Sequence, residues 1–304
     1  MGKYLDQFDA TTIPFCESPF FYPLLEKMEK LLTPEEIRLC IHFYEEGWVV
    51  VDSGLPEEVL DRARDDAVAM VGKPGTKTQV GYEYNESPRI FEAWKQSEAV
   101  RQIALNPRIL RLLEILYRRT PVAFQTINFL RGSAQPLHSD AIHFGTIPQL
   151  WVTAAWTALE DMTEANGTLW FISRSHRLPI YDYHDIRVPL PQYGTDQQFA
   201  TYAEYEEFVR QLVSAKFPGE TPTRFLGKKG QVLIWAANLI HGGAPITDPL
   251  STRHSQASHY TFDGVKKFFV PRYSTPLEGQ YVEKKLGKST VSDPRNWTDG
   301  SHGV

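Results

Sequence analysis

From Pro121 onward the chain is a succession of short β-prone runs cut by turn residues. Val122 to Leu130, Leu150 to Leu159, Thr168 to Ser173, Gln231 to Ala236 and Arg253 to Phe262 are rich in the Val, Ile, Trp and Thr that suit a pleated surface. Gly132-Ser133, Ala165-Asn166-Gly167, Lys229-Gly230 and Asp248-Pro249 punctuate them. Short strands spaced in this way predict a jelly-roll barrel. One long stretch, 181–224, interrupts the series. It holds Tyr181, Tyr183, Tyr193, Tyr202 and Tyr205 and a predicted helix from Tyr202 to Lys216. Insertions of this length serve as active-site lids or as packed surface excursions, and both readings stay open.

The front of the chain is written differently. Residues 1–30 are rich in aromatics and prolines and read as an irregular arm. Thr33-Pro34-Glu35-Glu36 carries a cap hydroxyl, a proline at the first helical position and a carboxylate three residues past the cap. That helix is expected to end before Gly47, with Trp48 to Val51 as a buried strand. A second helix runs from Leu55-Pro56-Glu57-Glu58 to about Met70, and Gly72, Pro74 and Gly75 close it. Residues 97–118 read as helical with a break near Asn106-Pro107. Helices in front and strands behind give an α+β class with a mainly β core. The expected organisation is a single domain over 1–304: the arm, mainly helical support at 33–120, the barrel core at 121–265 with its insertion, and a C-terminal extension at 266–304.

Composition narrows the function classes. At 42% hydrophobic and 23% charged, 304 residues can fill a sizeable core. The formal net charge of −5 argues against a nucleic-acid partner. Cys16 and Cys40 are the two cysteines, without metal-ligand spacing, and are expected to be reduced and buried. No apolar run reaches the length of a membrane span. The start, with Asp6, Asp9 and Glu17, lacks a secretory core, and Asp6 stands where a myristoylation motif wants Ser or Thr. The end, Ser-His-Gly-Val, is not a peroxisomal tail. The expectation is a cytoplasmic enzyme with a small-molecule substrate, its oligomeric state open.

The chemistry sits in Pro-Leu-His138-Ser-Asp140 and Leu-Ile-His241-Gly-Gly, followed by Arg253-His-Ser255. Two imidazoles and a carboxylate bind ferrous iron on one face and leave the other face open. Zinc accepts the same ligands and remains a competitor. His138 and Asp140, two apart, would share one face of a strand. Arg253 and Ser255 share the same parity, and a guanidinium beside a hydroxyl suits the far carboxylate of 2-oxoglutarate. A surface ion pair is the bland alternative for Arg253. His143 and Phe144, just past the metal segment, are candidate substrate residues, or a structural histidine and its neighbour. Arg89 is a candidate for holding an acidic group. His42, His176, His184, His254, His259 and His302 carry no role on this reading.

Several strings together resemble the phytanoyl-CoA dioxygenase family of iron(II)- and 2-oxoglutarate-dependent oxygenases. They are Gln125-Thr126-Ile127-Asn128-Phe129, Gln135-Pro136-Leu137-His138-Ser139-Asp140, Ala155-Trp156-Thr157 and Asn166-Gly167-Thr168-Leu169-Trp170, then Gly230 to Trp235, His241-Gly242-Gly243 and Arg253-His254-Ser255. The likeness spans roughly residues 35–265. It implies a double-stranded β-helix of the jelly-roll, cupin-like kind, with Fe(II), 2-oxoglutarate and O2 as cofactor and co-substrates. His138, Asp140 and His241 would ligate the iron, and Arg253 with Ser255 the co-substrate. Trp156 and Gln125 match positions beside 2-oxoglutarate, although Trp156 fits core packing equally. The expected reaction is hydroxylation of an unactivated C–H bond, with succinate and CO2 released. Desaturation, cyclisation or epimerisation by the same oxidant are alternatives, and a non-catalytic metal-binding sensor is a third. Because Asp140 is present, halogenation is disfavoured.

Overall fold

The front of the chain is more ordered than its prolines and aromatics suggest. The computed structural model describes residues 13–79, 87–183, 185–187, 197–265, 267–269 and 283–284. Within the expected irregular arm, a 3-10 turn at Phe15–Glu17 leads into helix α1 (Phe21–Met28). Phe15, Phe21, Leu24 and Leu25 are buried, and Phe21 stacks on Tyr44 with ring centroids 4.1 Å apart. Each such side chain contributes about 1.5–3 kcal/mol of transfer free energy, which outweighs weak helix signals. Residues 1–12 of that arm lie outside the described residues.

The next elements follow their signals closely. Helix α2 (Pro34–Glu46) starts on a reciprocal cap: Glu36 N donates to Thr33 Oγ1 at 3.2 Å, and Thr33 N donates to Glu36 Oε2 at 2.8 Å. Strand β1 (Trp48–Asp52) and helix α3 (Glu57–Met70) come next. Two three-residue strands, β2 (Lys77–Gln79) and β3 (Arg89–Phe91), then join the main sheet. Helices α4 (Glu98–Ala104) and α5 (Pro107–Tyr117) meet at Asn106, whose Oδ1 accepts from Arg108 N.

Past Pro121 come β4 (Pro121–Phe129), β5 (Gly145–Ile147), β6 (Thr153–Ala158) and β7 (Leu169–Phe171). Helix α6 (Gln197–Lys216) follows, then β8 (Thr223–Arg224), β9 (Gln231–Ala236), β10 (His241–Gly243) and β11 (Ser255–Phe262). Short strands β12 (Lys267–Phe269) and β13 (Glu283–Lys284) lie in the expected C-terminal extension, and β12 pairs with β5. The rest of that extension lies outside the described residues.

The main sheet is antiparallel with order β1-β9-β6-β11-β4-β3-β2. A smaller sheet, β10-β7-β8, packs on its inner face. Ala154, Trp156, Leu233, Trp235 and Ala257 of the main sheet are buried there with Leu169 and Phe171 of the smaller one. This is a jelly-roll of the double-stranded β-helix kind. The outer face takes the helices. Tyr260 donates to Ala104 O at 2.8 Å, Gln256 Nε2 to Val100 O at 2.9 Å, and Phe262 stacks on Tyr117 at 4.0 Å. Every residue of β6 and β11 is buried, because both faces are covered.

The described part of the insertion is packed against the barrel, where the sequence left lid or packed surface excursion open. Its helix begins at Gln197, earlier than the expected Tyr202. Tyr202, Tyr205 and Val209 are buried against Ile142, Ile172 and Ile240. Tyr193 and His184 lie outside the described residues.

Candidate active site

His138 and Asp140 do not lie on one regular strand, which corrects the alternation argument. His138 forms a single antiparallel bridge with His241: His138 N donates to His241 O at 2.8 Å, and His241 N to His138 O at 2.9 Å. Asp140 opens a 3-10 turn, Asp140–Ile142, capped by Ser139, whose Oγ accepts from Ala141 N. The turn, not the pleat, swings the carboxylate toward the two imidazoles.

The Gly-Gly after His241 has a steric reason. A Cβ on Gly242 would lie 2.7 Å from Gln135 O and 2.9 Å from Pro136 O, and one on Gly243 would lie 2.8 Å from Ala134 N. The 133–138 segment therefore rides directly on the backbone of β10, and Gly243 N donates to Gln135 O at 2.8 Å. That close approach sets the two histidines opposite each other.

The three candidate ligand side chains are buried, with donor atoms within 4.8 Å of one another. His138 Nε2 lies 3.9 Å from Asp140 Oδ1, and His241 Nε2 3.8 Å from Asp140 Oδ2. Each histidine has its other nitrogen on a backbone carbonyl: His138 Nδ1 on Pro136 O and His241 Nδ1 on Leu239 O, both at 2.9 Å. Those contacts make Nδ1 the protonated atom and leave each Nε2 lone pair facing the site. Trp235 Nε1 donates to Asp140 Oδ2 at 2.8 Å. Burial, then the neighbouring His241, push the His138 imidazolium down to about 3. Burial alone would raise the Asp140 carboxyl, but the imidazoles of His241, His259 and His138 and the Trp235 N–H bring it below its ordinary value. Two imidazoles with Nε2 turned inward and a carboxylate held below its ordinary value form the donor set that a divalent metal takes, so these residues fit iron(II).

These three side chains open onto a cavity of about 120 Å³. Arg253, 1% exposed, lines it just ahead of β11 rather than within that strand. Its two terminal nitrogens donate to Gly167 O at 3.1 Å and Arg131 O at 3.2 Å. Its guanidinium carbon lies 5.3 Å from the Trp156 ring and 5.1 Å from that of Phe129. Burial, then the charge of Arg89, pull its pKa down to about 9, which leaves it cationic at neutral pH. Among the described residues, Arg253 Nε and Gln125 Oε1 are buried without a hydrogen-bond partner. Both residues line the cavity. A buried cation with an orphaned donor calls for an anion, which fits the far carboxylate of 2-oxoglutarate.

The remaining candidates fall at different depths. Trp156 is both cavity wall and core, edge-on to Phe225. Ser255 shares the inward parity of Ala257 and His259, but it is not among the described cavity-lining residues, and its hydroxyl reaches Arg253 O. His143 and Phe144 line the cavity, as does Arg89. Sequence reasoning missed Trp235, Gln135 and His259. His259 lies on β11 with its Nε2 4.0 Å from Asp140 Oδ2. Its inward parity with position 257 was readable once β11 was assigned. No sequence signal marks Gln135.

A model of the phytanoyl-CoA dioxygenase (PhyH) family matches residues 43–254. Peroxisomal phytanoyl-CoA dioxygenase of Rattus norvegicus is 23% identical over 255 residues, 77% of this chain and 69% of its own. The Homo sapiens protein of that name is 24% identical over 222 residues, 66% of this chain and 61% of its own. The chain thus spans about two thirds of these relatives. Among solved structures, the non-haem α-ketoglutarate-dependent carbocyclase SnoK from nogalamycin biosynthesis matches with a TM-score of 0.61. That match is 16% identical and covers 86% of this chain and 96% of SnoK, a likeness of fold.

Proposed function

Because the chain belongs to the phytanoyl-CoA dioxygenase family, whose members depend on iron(II) and 2-oxoglutarate, we propose that it hydroxylates an unactivated C–H bond of a small-molecule substrate. One observation carries the reading: a buried arginine with an orphaned donor shares a cavity with two imidazoles and a carboxylate poised for metal. When bound, iron(II), 2-oxoglutarate and dioxygen supply the oxidising power, with succinate and carbon dioxide as co-products.

The chain's own residues do the rest. His138, Asp140 and His241 hold the metal on one face. Trp235 fixes which carboxylate oxygen turns inward. Arg253, seated between Trp156 and Phe129, takes the far carboxylate of the co-substrate, and Gln125 adds a polar contact. Phe91, Ile127, Phe144 and Leu169 line the cavity with hydrocarbon and keep water from the reacting centre. Among the described residues, no helix is long and apolar enough to cross a membrane, and nothing in the site needs one.

The test is succinate release by the iron-loaded protein across a panel of metabolites, with product mass measured under isotopically labelled dioxygen. One labelled oxygen in the product supports hydroxylation. Loss of two hydrogens without added oxygen assigns desaturation or cyclisation instead, and an unchanged mass assigns epimerisation. His138→Ala is expected to abolish turnover, and full activity in that variant would remove the assignment.

A further inference from the structure

We propose, resting on the dioxygenase reading above, that the polar contact Gln125 adds is made with the substrate, and that the substrate is a largely apolar molecule presenting a hydroxyl to this amide. The family likeness sets Gln125 beside 2-oxoglutarate without saying at which end. Strand register does. Gln125 of β4 stands opposite His259 of β11, and His259 stands opposite Ala154 of β6. The next inward row is Ile127, Ala257 and Trp156, and the one after it is Phe129, Ser255 and Ala158. Gln125, Ile127, Phe129, Trp156, Ala257 and His259 all line the cavity, so these rows grade its wall from one end to the other.

The rows have distinct owners. Arg253 belongs to the far rows, with its guanidinium carbon 5.1 Å from the Phe129 ring and 5.3 Å from that of Trp156. Asp140 belongs to the Gln125 row, because His259 Nε2 lies 4.0 Å from Asp140 Oδ2. At about 3.4 Å per residue, Gln125 lies about 13 Å along β4 from Phe129. The amide is therefore at the metal end of the wall, away from the seat of the co-substrate's far carboxylate. A molecule to be oxidised must bring its reacting carbon to that same end.

Hydrogen bonding points the same way. Among the described residues, two side-chain amides line the cavity, Gln125 and Gln135. Gln135 is engaged: its Oε1 accepts from Arg89 Nη2 at 3.1 Å, and its Nε2 donates to Tyr202 Oη at 3.2 Å. Gln125 Oε1 is buried and accepts no hydrogen bond. Buried polar atoms of that kind are rare and call for a partner. The terminal torsion of a glutamine is broad and two-fold, so its acceptor or its donor end can turn to the cavity. A hydroxyl both donates and accepts, and it satisfies whichever end it meets. An ion held against a neutral amide would keep its charge unpaired, which disfavours an ammonium or a carboxylate there. Phe91, Ile127, Phe144 and Leu169 supply hydrocarbon for the rest of such a molecule.

The experiment is proton NMR on the full chain loaded with Mn(II) and 2-oxoglutarate under nitrogen, where the metal broadens the signals of any ligand in the cavity. The probes are benzyl alcohol and ethylbenzene, nearly equal in shape and differing in the hydroxyl. Titration gives a Kd for each. The ratio of the ethylbenzene Kd to the benzyl alcohol Kd is expected to fall about tenfold from the wild type to Gln125→Met, the scale of one buried hydrogen bond. The fall should come from weaker alcohol binding. Gln125→Leu serves if the methionine variant does not fold. Calorimetry of 2-oxoglutarate into the Mn(II)-loaded protein should give the same affinity in variant and wild type. A wild type that leaves the alcohol signals sharp overturns the proposal. So does a ratio unchanged in the folded variant. So does a tenfold loss of 2-oxoglutarate affinity in Gln125→Met, which would assign the amide to the co-substrate. A wild type that holds Mn(II) but binds no 2-oxoglutarate removes the dioxygenase reading, and this proposal with it. Normal 2-oxoglutarate binding beside an unchanged ratio removes this proposal alone.

Discussion

A single indole N–H holds the Asp140 carboxylate in place. Trp235→Phe removes the 2.8 Å bond to Asp140 while keeping an aromatic body in the core. We expect iron affinity to fall about 10- to 100-fold, as for other groups that orient metal ligands. Metal titration followed by calorimetry measures it, and an unchanged affinity would show that the carboxylate needs no such support. A second residue governs pH dependence away from the metal. Burial pushes His176 down to about 4, and among the described residues its Nδ1 has no partner. Between about pH 6.5 and 4 the unfolded chain takes up a proton there and the folded chain does not. Stability should therefore be full above that window and fall as pH drops through it. Urea midpoints against pH should show a shallower decline in His176→Gln than in the wild type. That His138, Asp140, His241 and Arg253 belong together was legible in sequence, because few side chains suit such chemistry, and the structure gathers them around one cavity. Trp235 was not. It follows Ile234 in an apolar run, and nothing in that run says which residue faces the metal and which the helices. Gln135 was hidden because an uncharged amide announces no role.

At the scale of elements, β10 and the segment before Asp140 act as one unit. Gly242→Ala would push a methyl against Gln135 O and Pro136 O, backbone atoms that cannot rotate away. We expect a loss of about 1–3 kcal/mol, of the size seen for overpacked cores. Metal affinity should fall with it, because the His138–His241 bridge must open. Parallel denaturation and metal titrations check both, and a variant that loses stability but binds metal normally would uncouple them. The capped helices were readable because cap and proline chemistry is local. Strands of two or three residues, such as β2, β3, β8 and β10, are too short to show a period, so only tertiary pairing reveals them. α1 was missed for a related reason: its burial against α2, not its propensity, makes it a helix.

For the whole molecule, metal and co-substrate are expected to act as folding ligands. Mn(II) at a hundredfold excess over its Kd should add about 2.7 kcal/mol. Differential scanning calorimetry should record the higher Tm, and 2-oxoglutarate should raise it again in the metal-loaded wild type. Arg253→Gln should keep the first rise and lose most of the second. Loss of neither would detach Arg253 from the co-substrate. The barrel itself was foreseeable from strand-like runs and turn residues. Its layering was not, because β6 and β11 are buried on both sides and show no alternation between apolar and polar positions.

The two imidazoles stand on backbones that bond to each other, although about a hundred residues of chain separate them. A ribosome must therefore deliver nearly the entire barrel before the second histidine can meet the first. On the proposed ligand assignment, iron capture would report that the chain has closed, and half-made copies would be spared a reactive ion held without its protective walls.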